Sequence, residues 1–359
     1  MTDQALPPAA SPLRPAPHRF VVLDGLRGVA ALLVISDHIP SALQTALPGR
    51  ALAVDFFFVL SGFVLAHAYS ERLGSGLSPF AFMRARFIRL YPLYIVASLL
   101  GVLSLILHVW RRGWVVGGDE FAVVSLFALT FLPCPPLYGW TNAAPYPFVG
   151  PAWSLFFELV ANLVFALLAP LRRLRVLAIF LPIAGAVMLS ANFAWGTFDL
   201  GWNYHSFAGG FPRIAFGFFA GVFIHELWLR GHRPSVPVWV TLIWLAVIAG
   251  GSWFLPESLR TTYNSAMQIV VIPLLVFTAA NSTVRGVPMR VCTFLGKHSY
   301  GVYLLHVPII ALSVFLPAIE YPGGVAFSLA VAGVALGAAW IVYEWIDAPA
   351  RAWLARRLG

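Results

Sequence analysis

The chain has 359 residues, of which 60% are hydrophobic and 10% are charged, and its mean hydropathy is +0.83. An average soluble domain carries roughly 25% charged residues, so this composition excludes a soluble globular domain and predicts an all-α polytopic integral membrane protein. The net charge of +9 does not indicate nucleic-acid binding, because the basic residues form short clusters between apolar runs, a pattern that reports membrane orientation.

Ten apolar runs are long enough to span a bilayer. They cover residues 20–39, 51–70, 88–108, 150–170, 174–193, 207–229, 236–254, 263–281, 298–317 and 322–345. An eleventh run, residues 119–133, is short and is bounded by Asp119, Glu120 and Pro133.

The basic clusters decide whether this short run crosses the membrane. If it does not cross, one side receives the clusters near residues 14–19, 84–89, 172–175, 230–233, 285–297 and 351–357. The positive-inside rule assigns that side to the cytoplasm. We therefore predict ten transmembrane helices with both termini in the cytoplasm, and a re-entrant or interfacial segment at 119–133.

The two ends of the chain differ in composition from the segment between them. Residues 1–19 are rich in proline and lack an apolar core, so we expect a disordered cytoplasmic tail without a cleavable signal peptide. Residues 20–351 form the predicted membrane domain, and residues 352–359 form a basic cytoplasmic tail.

The first predicted span carries four ionisable residues, Asp24, Arg27, Asp37 and His38. Such groups are expensive in hydrocarbon, and each is therefore a functional candidate. On a continuous helix, Arg27 and His38 share nearly one face and lie about 16 Å apart along the axis. Asp37 is turned by roughly 100° from His38, so we expect it to point away from the polar face.

Further ionisable residues lie in or beside other spans. Arg84, Arg86 and Arg89 stand at the predicted cytoplasmic mouth of the third span. We expect Asp55, Glu158 and Arg213 at a similar depth to His38, each within roughly 5 to 15 Å of the outer boundary by helical rise. Arg27 is expected between these two sets.

Five motifs follow one another along the chain: LDGLRGVAALLVISDH, VDFFFVLSGFVLAHAY, FMRARFIRLYPLYI, PAWSLFFE and LGKHSYGVYLLHVPI. In this order they resemble the signatures of acyltransferase family 3, the membrane O-acyltransferases of bacterial surface and secreted glycans. The resemblance runs from about residue 23 to residue 351. Two positions depart from the family pattern, since Leu159 stands where a second acidic residue is common and Asp347 where Glu is usual.

The resemblance implies roles for particular residues. Arg27 and His38 match the family's Arg and His, with the histidine as catalytic base. Arg84 and Arg86 match an Arg-x-Arg pair assigned to the acyl donor. It also implies a bacterial inner-membrane enzyme that moves an acyl group, expected to be acetyl, from acyl-CoA to a carbohydrate hydroxyl.

The residues support such chemistry on their own. Acyl transfer from a thioester to a hydroxyl needs a base, and a neutral histidine suits physiological pH. It also needs cationic donors for the phosphates of a CoA-type carrier, which arginines provide. We expect His38, Arg27 and Glu158 in the catalytic machinery, with Asp55 and Arg213 on the acceptor side. We expect no metal and no nucleic acid, with membrane lipids and a glycan or glycolipid as partners.

Several residues have a structural alternative. Glu158 could form an ion pair with Arg213, Asp55 could cap its helix or pair with an arginine, and the arginines of the third span could be topology anchors. Helix–helix hydrogen bonds would explain Ser299, Tyr300 and His306. Aromatic residues of the outer segments could stack on sugars or form an interface belt; these are Tyr138, Trp140, Tyr146, Trp195, Trp202 and Tyr204.

Two rival functions use the same polar core. One is a transporter or exporter of a lipid-linked sugar, which is disfavoured because no paired broken helices or repeats are visible. The other is a non-catalytic scaffold on the same fold. Consumption of acyl-CoA would separate an enzyme from both.

Overall fold

The computed structural model describes residues 19–113, 115–136, 144–169, 173–313 and 324–358. Within these ranges the regular structure is helical and no strand occurs. The helices are α1 Val21–Ile35, α2 Ala42–Ala46, α3 Leu52–Gly74, α4 Pro79–Arg112, α5 Gly118–Leu129, α6 Ala152–Leu167, α7 Leu174–Trp195, α8 Gly210–Leu229, α9 Val238–Gly250, α10 Glu257–Ala266, α11 Ile272–Ala279, α12 Gly286–Leu312, α13 Gly324–Val342 and α14 Ala348–Leu358.

Six helical segments of the described residues are long and apolar enough to cross a membrane. They are Leu52–Gly74, Pro79–Arg111, Leu174–Trp195, Phe207–Leu229, Glu257–Ala279 and Gly324–Leu358, and the shorter apolar helices are Ala152–Leu167 and Val238–Phe254. The fold is thus that of an all-α polytopic membrane protein, as predicted, while the count of ten spans stays a prediction.

Two of these segments contain a π-helical turn. A π-helical turn, Met267–Val271, joins α10 to α11, and another, Tyr343–Asp347, joins α13 to α14. Helix therefore continues through the basic C-terminal segment that the sequence analysis treats as a tail. The N-terminal tail of residues 1–18 lies outside the described residues.

Helix α5 covers most of residues 119–133, the short apolar run that is predicted not to cross the membrane. It has 12 residues, which at 1.5 Å per residue gives about 18 Å, well short of a hydrocarbon core of about 30 Å. The hydroxyls of Tyr91 and Tyr94 in α4 donate to the carbonyls of Leu129 and Ala128 at its C-terminal end. This length supports the prediction that residues 119–133 do not cross the membrane.

The bundle is built from close helix pairs. Helix α1 packs along α12, α3 along α8, and α12 also contacts α4 and α13. The face of α7 turned away from its neighbours exposes Ile179, Ile183 and Val187, spaced four apart along one stripe. An exposed apolar stripe of this kind is expected where a helix faces lipid.

Helix α4 runs the length of the bundle and carries polar residues towards both ends. Ser78 caps its start by accepting from the Ala81 amide at 3.1 Å, with Pro79 at the first helical position. Gly113 ends it with a φ of 67°, which glycine adopts without steric cost. Arg86 and Ser104 on this helix lie about 27 Å apart along the axis.

Candidate active site

A large cavity lies at one end of the bundle and is here called the His38 cavity. Its volume is about 730 Å³, and helices α1, α3, α4, α6 and α12 contribute to its wall together with the loops that follow α1, α2, α5 and α7. Its polar and aromatic lining includes Asp37, His38, Arg50, Ser104, His108, Tyr146, Trp153, Asp199, Trp202 and Tyr303.

His38 lies just beyond α1 rather than on it. The helix ends at Ile35, where the Ser36 hydroxyl donates to the Leu33 carbonyl at 2.7 Å. The Asp37 and His38 amides then donate to carbonyls three residues back, in a tighter turn. The expectation of one continuous helix face carrying Arg27 and His38 is therefore wrong, because the helical phase is lost before His38.

Asp37 lines the same cavity as His38, so the prediction that it points elsewhere is also wrong. Its carboxylate forms an ion pair with Arg50 Nε at 2.7 Å. Arg50 in turn donates from Nη1 to the carbonyls of Gln44 and Leu47. Asp37 thus holds the short helix α2 and the start of α3 beside His38.

A second, smaller cavity is here called the Arg86 cavity. Its volume is about 230 Å³, and the same five helices, α1, α3, α4, α6 and α12, line it at a different depth. Its polar lining comprises Arg27, Ser61, Arg86, Arg89, Ser154, Glu158, Ser299, Tyr300 and Tyr303.

Glu158 belongs to this second cavity. Its Oε1 accepts from Arg86 Nη2 and from the Ser61 hydroxyl, both at 2.8 Å. The structural alternative in which Glu158 pairs with Arg213 is therefore wrong. Glu158 lines the Arg86 cavity and not the His38 cavity, although it was expected at a similar depth to His38. Because a sequence does not specify which buried charges meet, the local apolar context of Glu158 gave no sign of Arg86.

Arg27 also lines the Arg86 cavity instead of standing between two sites. Its Nη2 donates to the Gly296 carbonyl at 2.6 Å and pairs with Asp24 at 3.0 Å. Its Nε donates to the Ser299 hydroxyl at 3.0 Å. These contacts fix the guanidinium between α1 and α12.

The three arginines at the start of α4 do not face the same way. Arg86 and Arg89 line the cavity, whereas Arg84 lines neither cavity. Residues two apart on a helix are turned by roughly 200°, and residues three apart by roughly 300°, so Arg89 rejoins the face of Arg86. Arg89 Nη1 is buried without a hydrogen-bond partner in the described part of the chain.

Asp55 and Arg213 form a buried ion pair behind the wall of the His38 cavity. Arg213 Nε and Nη2 each donate to a different oxygen of Asp55 at 2.9 Å. Its Nη1 donates to Asp199 at 2.7 Å and to the Leu200 carbonyl at 2.8 Å. Neither member of the predicted acceptor-side pair lines the cavity, but Asp199, which the sequence analysis did not single out, does.

Of the residues lining either cavity, Tyr303 is common to both. Its hydroxyl lies 2.7 Å from the Ser154 hydroxyl and 3.2 Å from the Pro151 carbonyl. The ring packs edge-on against Phe57, with centroids 5.4 Å apart. Tyr303 therefore lies where the two cavities approach each other.

The remaining candidates fall into two groups. Tyr146 and Trp202 line the His38 cavity, whereas Trp195 and Tyr204 donate to the carbonyls of His205 and Cys134. Tyr138 and Trp140 lie outside the described residues.

Tyr300 in α12 donates to the Leu90 carbonyl of α4, which confirms the expected helix–helix hydrogen bond. His306 does not follow that expectation, since its Nδ1 lies 3.1 Å from the Val302 carbonyl of its own helix.

Comparisons with known proteins agree with the motifs. A family model described as an acyltransferase domain, that of acyltransferase family 3, matches residues 20–344. Protein 2 in the picA locus of Rhizobium radiobacter is 38% identical over 184 residues, which cover 49% of this chain and 95% of that protein. Acyltransferase MdmB of Streptomyces mycarofaciens is 26% identical, with 94% of this chain and 93% of that protein covered.

A third relative is the exopolysaccharide production protein ExoZ of Rhizobium meliloti. It is 28% identical over 267 residues, which cover 71% of this chain and 75% of that protein. No solved structure matches the chain. Because the family model covers most of its length, the chain belongs to acyltransferase family 3 and is a multi-pass membrane acyltransferase.

Proposed function

We propose that this acyltransferase moves an acyl group, acetyl in the simplest case, from acyl-CoA in the Arg86 cavity to a carbohydrate hydroxyl in the His38 cavity. The observation that carries the proposal is the pair of polar cavities at different depths along the same five helices. Tyr303 lines both. Such an arrangement suits two substrates that approach from opposite sides of a membrane.

The chemistry of the Arg86 cavity supports an anionic donor. Three guanidinium groups line it, those of Arg27, Arg86 and Arg89, with Glu158 as the acidic residue among them. Arg89 Nη1 has an unused donor, and guanidinium groups bind phosphate and carbonyl oxygens well. Pockets for drug-sized ligands measure roughly 300–1,000 Å³, so this cavity of about 230 Å³ suits the acyl-pantetheine end of the donor.

The His38 cavity supports a carbohydrate acceptor. Its volume of about 730 Å³ is that of a ligand pocket, and Tyr146, Trp153 and Trp202 offer flat apolar faces beside the carboxylates of Asp37 and Asp199. Aromatic faces with convergent polar groups are what a sugar ring needs for stacking and hydrogen bonding. The name of the relative ExoZ, an exopolysaccharide production protein, favours a glycan of this kind.

The reaction needs one proton to move twice. His38 accepts the proton of the acceptor hydroxyl, the oxygen attacks the thioester carbonyl carbon, and the carbon–sulfur bond breaks. The proton on His38 then passes to the departing CoA thiolate, so the site returns to its starting state. If an acyl-His38 forms first, the same proton balance holds over two steps.

The basic clusters support a matching orientation. We place the protein in a bacterial inner membrane with both termini in the cytoplasm, because this assigns the clusters of α4 and the C-terminal segment to the inside. The Arg86 cavity, near the start of α4, would then face the compartment that holds acyl-CoA. The acceptor would wait at the outer surface beside His38.

Removal of the proposed base tests the function. We expect His38→Ala to lower acyl transfer by about 10² to 10⁴, the usual contribution of a positioned general base. The measurement is transfer of labelled acetyl from acetyl-CoA into extracted surface glycan, in a deletion strain at matched protein level. His232→Ala, at an exposed loop histidine, is the control and should behave as wild type. Normal transfer by His38→Ala, or no release of CoA thiol by the wild type, would contradict the proposal.

A further inference from the structure

A second histidine lies beside His38 and has no part in the reaction described above. His306, in α12, is fully buried, and its ring centroid is 5.0 Å from that of His38, with the planes tilted by 48°. The two rings come from opposite ends of the sequence and meet at the wall of the His38 cavity. A pair of imidazoles so close can exchange a hydrogen bond between ring nitrogens after a small rotation of the exposed His38 ring.

The hydrogen bonding of His306 fixes its tautomer. Its Nδ1 lies 3.1 Å from the Val302 carbonyl, and a carbonyl oxygen only accepts, so Nδ1 carries the proton. Its Nε2 is then an acceptor, and in the described part of the chain this buried atom has no partner. A buried polar atom without a hydrogen-bond partner lowers the stability of the fold by about 1–3 kcal/mol. Its presence beside His38 therefore indicates a role in function that offsets this loss of stability.

Titratable groups that line the His38 cavity have partners of their own, and His108 Nδ1 lies 2.8 Å from the Ser104 carbonyl. Asp37, the neighbour of His38 in sequence, is paired with Arg50, and Asp199 is paired with Arg213. Tyr303, one turn before His306, directs its hydroxyl towards Ser154. Within the described part of the chain, Nε2 of His306 is thus a buried acceptor without a partner in a ring adjacent to that of His38.

We propose that His306 is a positioning residue for His38, an inference that rests on the proposed function. Its Nε2 accepts the N–H of His38, which leaves the other His38 nitrogen unprotonated and directed at the acceptor hydroxyl. When that nitrogen takes the proton, the bond to His306 stabilises the imidazolium, and the proton leaves to the CoA thiolate. A base held in one tautomer by a third group is the general arrangement of activated hydroxyl transfer.

Three variants at buried histidines of α12 test this role. His306→Leu keeps the side-chain volume and removes the acceptor, and His306→Gln keeps an acceptor oxygen. His298→Leu is the matched control, since His298 is buried on the same helix but lines neither the His38 cavity nor the Arg86 cavity. We expect His306→Leu to lower kcat by about 10- to 100-fold, as loss of an orienting partner does, with the KM for acetyl-CoA unchanged.

His306→Gln should recover part of that loss, whereas His298→Leu should retain wild-type kcat. A merely structural role predicts instead that His306→Leu and His306→Gln are equally impaired, or that the KM for acetyl-CoA rises while the expression level falls. Equal impairment of His306→Leu and His306→Gln would overturn the inference, and so would a wild-type kcat in His306→Leu.

A second measurement is independent of acyl transfer. Diethyl pyrocarbonate modifies unprotonated imidazole, and mass spectrometry of the purified protein gives the rate at His38 alone. We expect slower modification of His38 in His306→Leu, recovery in His306→Gln and no change in His298→Leu. If this pattern appears while the wild type transfers no acetyl, the proposed function fails and the positioning role stands. If wild-type transfer is normal but the rate at His38 is the same in all variants, the positioning role fails alone.

Discussion

Arg84 and Arg86 differ by two positions in α4 and face different surroundings. Arg86 pairs with Glu158 in the Arg86 cavity, whereas Arg84 lines neither cavity. The resemblance to the family treats the two as one donor-binding pair, but a helix cannot direct residues two apart to the same side. The third arginine that lines the Arg86 cavity, beside Arg27 and Arg86, is Arg89.

The two arginines should therefore differ in their effect on donor binding. We expect Arg86→Ala to raise the KM for acetyl-CoA by about tenfold or more, since a lost charge-assisted hydrogen bond costs roughly 1.5–3 kcal/mol. Arg84→Ala, the matched control, should change it by less than about twofold, in line with a surface substitution. Initial rates in detergent-solubilised protein give both values. An effect of Arg84→Ala as large as that of Arg86→Ala would contradict the separation of the two side chains.

The Asp55–Arg213 pair illustrates what a sequence does and does not specify at this scale. Asp55 and Arg213 are visible in the sequence as charged residues within apolar runs and are therefore functional candidates, with pairing of Asp55 to an arginine as the structural alternative. The structure confirms that Asp55 pairs with an arginine. Their mutual pairing across 158 positions, and the third member Asp199, are set by how α3 and α8 pack. All five N–H donors of Arg213 are used, which makes this cluster a structural tie rather than a free binding group.

Among the elements, the contact of α1 with α12 depends on glycine. A Cβ added to Gly28 would lie 2.8 Å from the backbone carbon of Leu295, and one added to Gly296 would lie 2.6 Å from the Cβ of Asp24. Small residues let membrane helices approach closely, where packing and hydrogen bonds replace the hydrophobic effect. Here the close approach also brings Arg27 to the Gly296 carbonyl.

Widening this contact should damage both stability and activity. We expect Gly28→Val to lower the free energy of unfolding by about 1–3 kcal/mol through overpacking and to reduce acetyl transfer by displacing Arg27. Gly337→Val is the control, because nothing lies within 4 Å of a Cβ at that position in α13. Thermal unfolding in detergent, followed by tryptophan fluorescence, measures the first effect. Equal melting temperatures for the two variants would mean that α1 and α12 can separate without cost.

Helix α5 determines the orientation of everything that follows it. In the proposed topology the 12-residue helix α5 does not cross, and a cysteine placed at Arg173 should then react with a membrane-impermeant maleimide only in inside-out vesicles. The background needs Cys134→Ser and Cys292→Ser, because these are the free cysteines of the described residues. A cysteine at Arg233 serves as a second cytoplasmic marker. Labelling of Arg173→Cys from the outside of intact cells would contradict the proposed topology.

At the scale of the whole molecule, the architecture class follows from composition and hydropathy, because lipid admits only helices or closed barrels. Helix ends were less predictable. A local signal, the Ser36 hydroxyl on the Leu33 carbonyl, ends α1 before the apolar run ends. The existence of two cavities was not predictable at all, since each is formed by five helices whose relative depths depend on packing.

The position of Tyr303 beside both cavities has a consequence for the membrane itself. An enzyme open to both compartments would conduct protons and ions and so dissipate the electrochemical gradient of the cell. Tyr303 lines both cavities, and its hydroxyl bonds to Ser154 and Pro151 hold the ring in place. Under the proposed function, an acyl group would pass this phenol, and the same ring would have to keep protons from crossing.

We therefore expect Tyr303→Ala to make proteoliposomes leak protons, detected with a pH-sensitive dye inside the vesicles after an external pH jump. Tyr300→Ala is the matched control, since Tyr300 lines the Arg86 cavity but not the His38 cavity, and it should leave the vesicles tight. Vesicles that stay tight with Tyr303→Ala would show that other side chains close the path. In cells, the same leak should slow growth when Tyr303→Ala is expressed, and a second substitution that fills the space left by the ring should restore growth. An enzyme that joins substrates from the two sides of a membrane must also keep that membrane impermeable to protons.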